Sequence, residues 1–363
     1  MMSVATALIF VCMTTLVIDV LLLISWLFGQ QEVESTGPGV WPTVSILVAA
    51  RNEAPNIIRC LDSLTRLEYP ADKLEILIGD DASEDDTCQI AVDFARNNTR
   101  IKVLPIKEKL GNARGKANVL ARLAKEATGD LYFITDADVS VPPGWIKGML
   151  RGARPGVGIV TGLTGVADNK MQHIDWLFAL GMVKVITDLK YPVTTMGNNM
   201  YVTKEAYQSV GGYETIPFSI TEDFELFKQV RKEGYDVVQL YNNNVLAWSK
   251  GVKGFFNLLN QRKRWMHGAV QLPWPIVSLL TFQAFYFPAV LSLLFLDPYL
   301  ATAIFVVKVL VQDCFIVLLH RRLKIRIAYG ALLLYEFYSL ILSLLSSIFF
   351  LIPVKIMWKG RKY

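Results

Sequence analysis

The residues 129–138, Gly129-Asp130-Leu131-Tyr132-Phe133-Ile134-Thr135-Asp136-Ala137-Asp138, run four residues of strand-forming character into two aspartates separated by one alanine. Val139-Ser140-Val141-Pro142-Pro143 follows, and its prolines stop any further regular strand. Open α/β sheets bind ligands at the carboxyl ends of their strands. Two carboxylates held there can grip a hard divalent cation such as Mg²⁺, which in turn binds phosphate oxygens. A bare Asp-x-Asp is common by chance and as a solvated turn, so the neighbouring segments must decide between the two.

Those segments supply a second acidic edge and a cation. A strand over 74–78 stops at Gly79-Asp80-Asp81-Ala82-Ser83, and Gly111-Asn112-Ala113-Arg114-Gly115-Lys116-Ala117-Asn118 is a Gly-rich basic turn that opens a helix over 119–127. A nucleotide needs one group for its base or ribose and another for its phosphates, and Asp80/Asp81 and Asp136/Asp138 would provide both if they share one sheet edge. Lys116 between them could neutralise phosphate directly. Taken singly, Asp80 and Asp81 also suit a turn, and Lys116 a solvated helix start.

The elements that must position these groups alternate. Val44-Ser45-Ile46-Leu47-Val48-Ala49-Ala50 reads as a buried strand that breaks at Arg51-Asn52-Glu53. A helix over 54–67, the strand over 74–78, a helix over 87–97, a strand over 101–104, the helix over 119–127 and the strand over 131–134 follow. Strand alternates with helix four times, which predicts an α/β fold with a mostly parallel, doubly wound sheet.

The 363 residues are 53% hydrophobic, with a positive mean hydropathy, more than a soluble enzyme usually shows. The excess lies in Val4–Phe28, 276–296, 299–319 and 330–353, each long enough to cross a hydrocarbon core of about 30 Å. The first is expected to be a retained anchor, because it is longer than a signal peptide's apolar region and has no Lys or Arg before it. His320-Arg321-Arg322-Leu323-Lys324-Ile325-Arg326 and the tail 355–362 are both inside signals, yet four crossings would put them on opposite sides. The loop is taken to place the large domain in the cytoplasm, and the Pro-containing 276–296 is the candidate to lie in the interface instead. A net charge of +5 with no basic run interleaved with aromatics does not imply nucleic acid. Cys12, Cys60, Cys88 and Cys314 are scattered, without disulfide or zinc spacing.

In the block 44–265, Val-Ser-Ile-Leu-Val-Ala-Ala-Arg-Asn-Glu, Asp-Asp-Ala-Ser-Glu-Asp-Asp-Thr, Gly-Lys-Ala-Asn, Asp-Ala-Asp, Thr221-Glu222-Asp223 and Gln261-Arg262-Lys263-Arg264-Trp265 occur in one order. The block resembles the membrane-embedded branch of family 2 glycosyltransferases, which have the Rossmann-like GT-A fold. The resemblance implies a nucleotide-sugar donor, a divalent metal, Mg²⁺ or Mn²⁺, and transfer of a sugar with inversion. It assigns Asp81 to the uracil or ribose, Ala50 and Glu53 to the nucleoside pocket, and Lys116 to the nucleotide. Asp136 and Asp138 take the diphosphate through the metal, and Asp223 resembles the base that deprotonates the acceptor hydroxyl. Gln261, Arg264 and Trp265 resemble the motif that closes over the pyrophosphate and borders the acceptor. One base without a second carboxylate acid suits inversion, whereas a hydrolytic glycosidase needs an acid and base pair.

The expected organisation is a transmembrane anchor over 1–30, a GT-A domain over 43–250 and an interfacial amphipathic segment over 251–275. About three spans over 276–353 and a basic tail over 354–363 complete it. Asn198 and Asn199 are expected to face the acceptor, His173 to lie on a helix surface or at the interface, and Lys308 to pair with Asp19 or Asp313. The expected activity is single transfer from a nucleotide sugar, a UDP-sugar, to a membrane lipid acceptor, with a short processive polysaccharide synthase as the alternative. A non-catalytic sugar-nucleotide binder would leave the intact Asp136, Asp138, Asp223 and Arg264 unexplained, and a nucleotidyltransferase would leave 261–265 unexplained.

Overall fold

The computed structural model describes residues 4–29 and 41–355, and the backbone of 357–358 and 361–362. The expected linker after the first span, and most of the basic tail, lie outside the described residues. In chain order the elements are α1 (Val4–Phe28), β1 (Val44–Ala50), α2 (Ile57–Thr65), β2 (Leu74–Asp80), α3 (Thr87–Ala95), β3 (Ile101–Pro105), α4 (Lys116–Glu126) and β4 (Leu131–Asp136). Then come α5 (Trp145–Leu150), β5 (Val157–Thr161), β6 (Leu163–Val166), α6 (Lys170–Asp188), β7 (Asn199–Thr203), α7 (Lys204–Ser209), α8 (Glu222–Lys232), β8 (Asp236–Gln239) and β9 (Leu246–Ser249). The chain closes with α9 (Phe255–Ala269), α10 (Trp274–Leu296), α11 (Pro298–Leu323), α12 (Tyr329–Leu351) and a ribbon of β10 (Met357–Trp358) and β11 (Arg361–Lys362).

It divides into two compact units. The sheet unit, 32–168 with 186–251, is built on a seven-stranded sheet in the order β3-β2-β1-β4-β7-β5-β8. β1 is parallel to β2 and to β4, β2 to β3 and β5 to β8, while β7 runs antiparallel to both β4 and β5, so the sheet is mostly parallel, as the alternation of strand and helix predicts, with β7 reversed. β1 is apolar and covered on both faces, which is why it reads as a continuous hydrophobic run instead of an alternating one. The register pairs Ala50 with Asp80 and Ala49 with Asp136, so both acidic strand ends reach the same carboxyl edge. Behind that edge Phe133 packs edge-on against Trp145 at 5.0 Å and, with the rings tilted by 32°, against Tyr201 at 5.0 Å in the core.

Several element ends move relative to expectation, each for a local reason. β4 runs on through Thr135 and Asp136, because β1 and β7 pair with it there. α4 starts at Lys116, three residues before the apolar pattern suggests, because Gly115 takes φ +54° and turns the chain there. α8 starts at Glu222, putting Glu222 and Asp223 in its first turn, where unpaired N–H groups favour carboxylates.

The helical unit comprises 1–31, 169–185 and 252–363. α1, α10, α11 and α12 are long and apolar enough to cross a membrane, and α10 continues through Pro288. Among these apolar helices lies a buried polar cluster. Lys308 Nζ pairs with Glu336 Oε1 at 3.0 Å and donates to Gln312 Oε1 at 2.8 Å, with Asp19 Oδ2 at 3.9 Å. Of the two expected partners Asp19 is thus present and Asp313 is not, and the tighter partner is Glu336, because α11 and the next helix, α12, face one another across the bundle. His173 is half-buried, with its ring edge-on to His320 at 5.6 Å, instead of lying on an outer surface. Burial, reinforced by His320, pushes its pKa down to about 4, so it is neutral at neutral pH.

Candidate active site

The carboxyl edge of the sheet unit gathers most of the residues singled out from the sequence. Ala50 ends β1, and its carbonyl accepts the Asp81 N–H at 2.8 Å. Arg51 donates to the carbonyls of Asp81 at 2.5 Å and Ala82 at 2.8 Å, while Asn52 Oδ1 accepts the Glu84 N–H at 2.9 Å. These bonds interlock the loops after β1 and β2, and they hold Asn52 and Ala82 at φ +51° and +50°, a region that costs a side-chain-bearing residue free energy. Glu53 is buried, its N–H donating to Thr87 Oγ1 at 2.7 Å and its Oε2 accepting from Asn56 at 2.6 Å. Ala50, Glu53 and Asp81 therefore line one rigid corner.

A second corner centres on Lys116. Its ammonium lies 2.6 Å from Asp136 Oδ1 and 2.9 Å from Glu222 Oε1, and it donates to the Gly197 carbonyl at 3.1 Å. A cation at a helix N-terminus is unfavourable by itself, and here the carboxylates offset the helix dipole. Burial alone would lower the Lys116 pKa, but Asp136, Glu222 and Asp223 together hold it above the ordinary lysine value. Asp223 is turned toward the same corner: its Oδ2 accepts the Gly197 N–H at 2.8 Å, and Oδ1 accepts the Phe224 N–H at 2.9 Å. Desolvation and the adjacent Glu222 push the Asp223 carboxyl above its ordinary value of 3.8, and Lys116 opposes them. A carboxylate with a raised pKa is a stronger proton acceptor once ionised.

Asp138 follows the strand end. Its Oδ2 accepts from Ser249 Oγ at 3.2 Å, and Arg59 grips its backbone carbonyl while also reaching the Trp248 carbonyl at 3.3 Å. Among the described residues no three His, Cys, Asp or Glu side chains gather into a metal cage. Two carboxylates suit a cation that completes its shell with water and phosphate oxygens, so the donor set fits Mg²⁺ or Mn²⁺ chemistry.

Glu222, Gly197, Ser249 and Arg59 were not picked out as site residues from the sequence. Glu222 had a signal in Thr-Glu-Asp, and Gly197 in the stretch 196–202 that resembles the family's Gly-containing acceptor-side strand, but Ser249 and Arg59 join the site only through long-range contacts. Asn199 does not face outward: its Oδ1 accepts from Trp145 Nε1 at 2.8 Å, and its amide donates to the Val245 carbonyl at 2.9 Å in the core. Asn198 is held by Thr164 Oγ1, which donates to its Oδ1 at 3.0 Å. Gln261, Arg264 and Trp265 lie on α9 in the helical unit, where Trp265 meets Trp176 edge-on at 4.9 Å.

With this geometry in hand, similarity to known proteins narrows the chemistry. The chain is 28% identical to a beta-monoglucosyldiacylglycerol synthase of Nostoc sp. over 249 residues, covering 67% of this chain and 51% of that protein. It is 28% identical to a poly-beta-1,6-N-acetyl-D-glucosamine synthase of Staphylococcus epidermidis over 247 residues, covering 65% of this chain and 57% of that protein. The chain thus spans little more than half the length of these relatives. In fold it is similar to a mannosyltransferase from Pyrobaculum calidifontis solved in complex with GDP-Man and Mn²⁺, with a TM-score of 0.63 at 19% identity, covering 96% of this chain and 98% of that one. The family model that matches is described as glycosyl transferase family 21 and spans residues 4–363, so the chain belongs to glycosyl transferase family 21.

Proposed function

We propose that this glycosyltransferase is an inverting hexosyltransferase of the family 2 kind that moves a sugar from a nucleotide sugar, a UDP-sugar, onto a membrane lipid, with its sheet unit in the cytoplasm. The observation that carries the reading is the convergence of Lys116, Asp136, Glu222 and Asp223 at the carboxyl edge, one cation among three carboxylates. Ala50, Glu53 and Asp81 bind the nucleoside, at the corner where the loops around Arg51 interlock. Asp136 and Asp138 would hold Mg²⁺ or Mn²⁺, which when bound supplies positive charge at the diphosphate leaving group. Lys116 adds a second positive charge there and is itself held in place by Glu222 and the Gly197 carbonyl. Asp223 accepts the proton of the acceptor hydroxyl as that oxygen attacks the anomeric carbon, and the Gly197 N–H fixes the direction of its carboxylate. Gln261, Arg264 and Trp265 take the donor and acceptor roles of the motif they resemble.

A lipid acceptor is favoured by the similarity to the diacylglycerol-glucosylating relatives, and a short processive synthase stands second on the similarity to the poly-N-acetylglucosamine relatives. The test is the purified enzyme in lipid with Mg²⁺ or Mn²⁺, a panel of nucleotide sugars and a total lipid extract, with products read by mass spectrometry. One added hexose or N-acetylhexosamine on a lipid supports the first reading. A ladder of sugar masses supports the second, and no donor consumption under any pairing refutes both.

A further inference from the structure

Arg262 and Lys263 fill the two unspecified positions of Gln-x-x-Arg-Trp, and both are anchored within the helical unit. The Arg262 guanidinium makes a short ion pair with Asp175 Oδ2 on α6. The other oxygen of Asp175 accepts from the Tyr335 hydroxyl of α12 at 3.2 Å, so the carboxylate cannot swing away without losing both partners. The same guanidinium lies 4.4 Å from the ring centroid of Trp265, whose edge is closed by Trp176. Lys263 is buried and donates to the carbonyls of Phe349 at 3.3 Å and of Ile352, the last turn of α12, where a cation is favoured.

This arrangement uses chemistry that only arginine provides. A guanidinium is planar, so it can fork onto a carboxylate with its edge while its face lies on an aromatic ring. An ammonium keeps the charge but lacks the plane, and could satisfy Asp175 while leaving the indole unsupported. Lys263 fixes the roll of α9 against α12 by an independent contact. Arg262 therefore has one constraint from α6 and delivers it to a residue three positions along its own helix.

We propose that Arg262, clamped by Asp175, is a positioning residue that sets the indole of Trp265 for the transfer step. The inference rests on the role given to Trp265 above, and deepens it. The test uses the full-length enzyme in lipid vesicles with the donor and acceptor identified by the product assay. kcat, acceptor KM, donor Kd and melting temperature are measured for Arg262→Lys, Asp175→Asn, their double variant and Trp265→Ala.

Expected for Arg262→Lys is a fall in kcat of about tenfold to hundredfold with donor Kd held within about twofold, because a misplaced contact costs the transition state and not donor binding. Asp175→Asn behaves alike, and the double variant is no worse than the weaker single one, as residues acting through one contact are not additive. Arg262→Lys turning over within about twofold of the parent while Trp265→Ala is impaired overturns the clamp. So does a loss of kcat that merely tracks a loss of folded protein in the melting curve. Full turnover by Trp265→Ala instead refutes the role given to Trp265, which separates failure of that reading from failure of the clamp.

Discussion

The ammonium of Lys116 sits 2.6 Å from Oδ1 of Asp136, tying the first residue of α4 to the last residue of β4. Removing the ammonium leaves Asp136, Glu222 and Asp223 without their shared counter-charge. Lys116→Met is expected to lower kcat by about a hundredfold or more, the size of losing one preorganised charge at a leaving group. Steady-state kinetics with saturating donor check it, and a kcat within about threefold of the parent would show that the lysine only braces the fold.

Asp223 carries its proton to a higher pH than an ordinary aspartate, because burial and Glu222 disfavour its charged form. A base must be ionised to act, so turnover is lost as pH falls through this raised value. The acid limb of the kcat profile is expected above the ordinary 3.8. Since Lys116 favours the ionised form, Lys116→Met should move that limb further up in pH. A limb that stays put in that variant would argue that the titrating group is not Asp223.

Gly197 has no room for a side chain: an added Cβ would stand 2.7 Å from both Cβ and Oδ2 of Asp223. Gly197→Ala must displace the carboxylate or the loop that donates to it. Turnover is expected to fall by roughly a hundredfold, as for a displacement of about an ångström, while donor affinity changes little. Isothermal titration with the nucleotide sugar alongside kinetics separates the two. Equal losses in binding and turnover would mean that the whole edge had collapsed.

Stability in the helical unit hangs on the Lys308–Glu336 pair. Glu336→Leu leaves a buried ammonium with Asp19 no nearer than 3.9 Å, and should cost about 3–5 kcal/mol. Lys308→Met combined with Glu336→Leu and Asp19→Asn removes all three charges of the cluster and should recover much of that loss. Thermal unfolding in lipid nanodiscs measures each variant, and a triple variant no more stable than the single one would contradict the account.

The order of strands and helices, the four apolar spans and the acidic strand ends could all be read from the sequence, because each rests on local periodicity or on residues close in the chain. Asp136, Asp138 and Asp80/Asp81 announce themselves by sitting where an apolar run stops. Side-chain partners across the chain could not be read in this way. Asn199 looked like a polar group for an acceptor, but β7 runs antiparallel beside β4 and turns it into the core against Trp145. Lys308 had nearer acids in sequence, yet bundle packing gives it Glu336. Sequence alone determined which groups are available for phosphate, metal and proton chemistry, since composition and spacing are local properties. Only the tertiary structure decided that Lys116, Asp136, Glu222 and Gly197 meet at one point and that Arg262 underlies Trp265, since strand register and helix packing set distances between residues far apart in the chain.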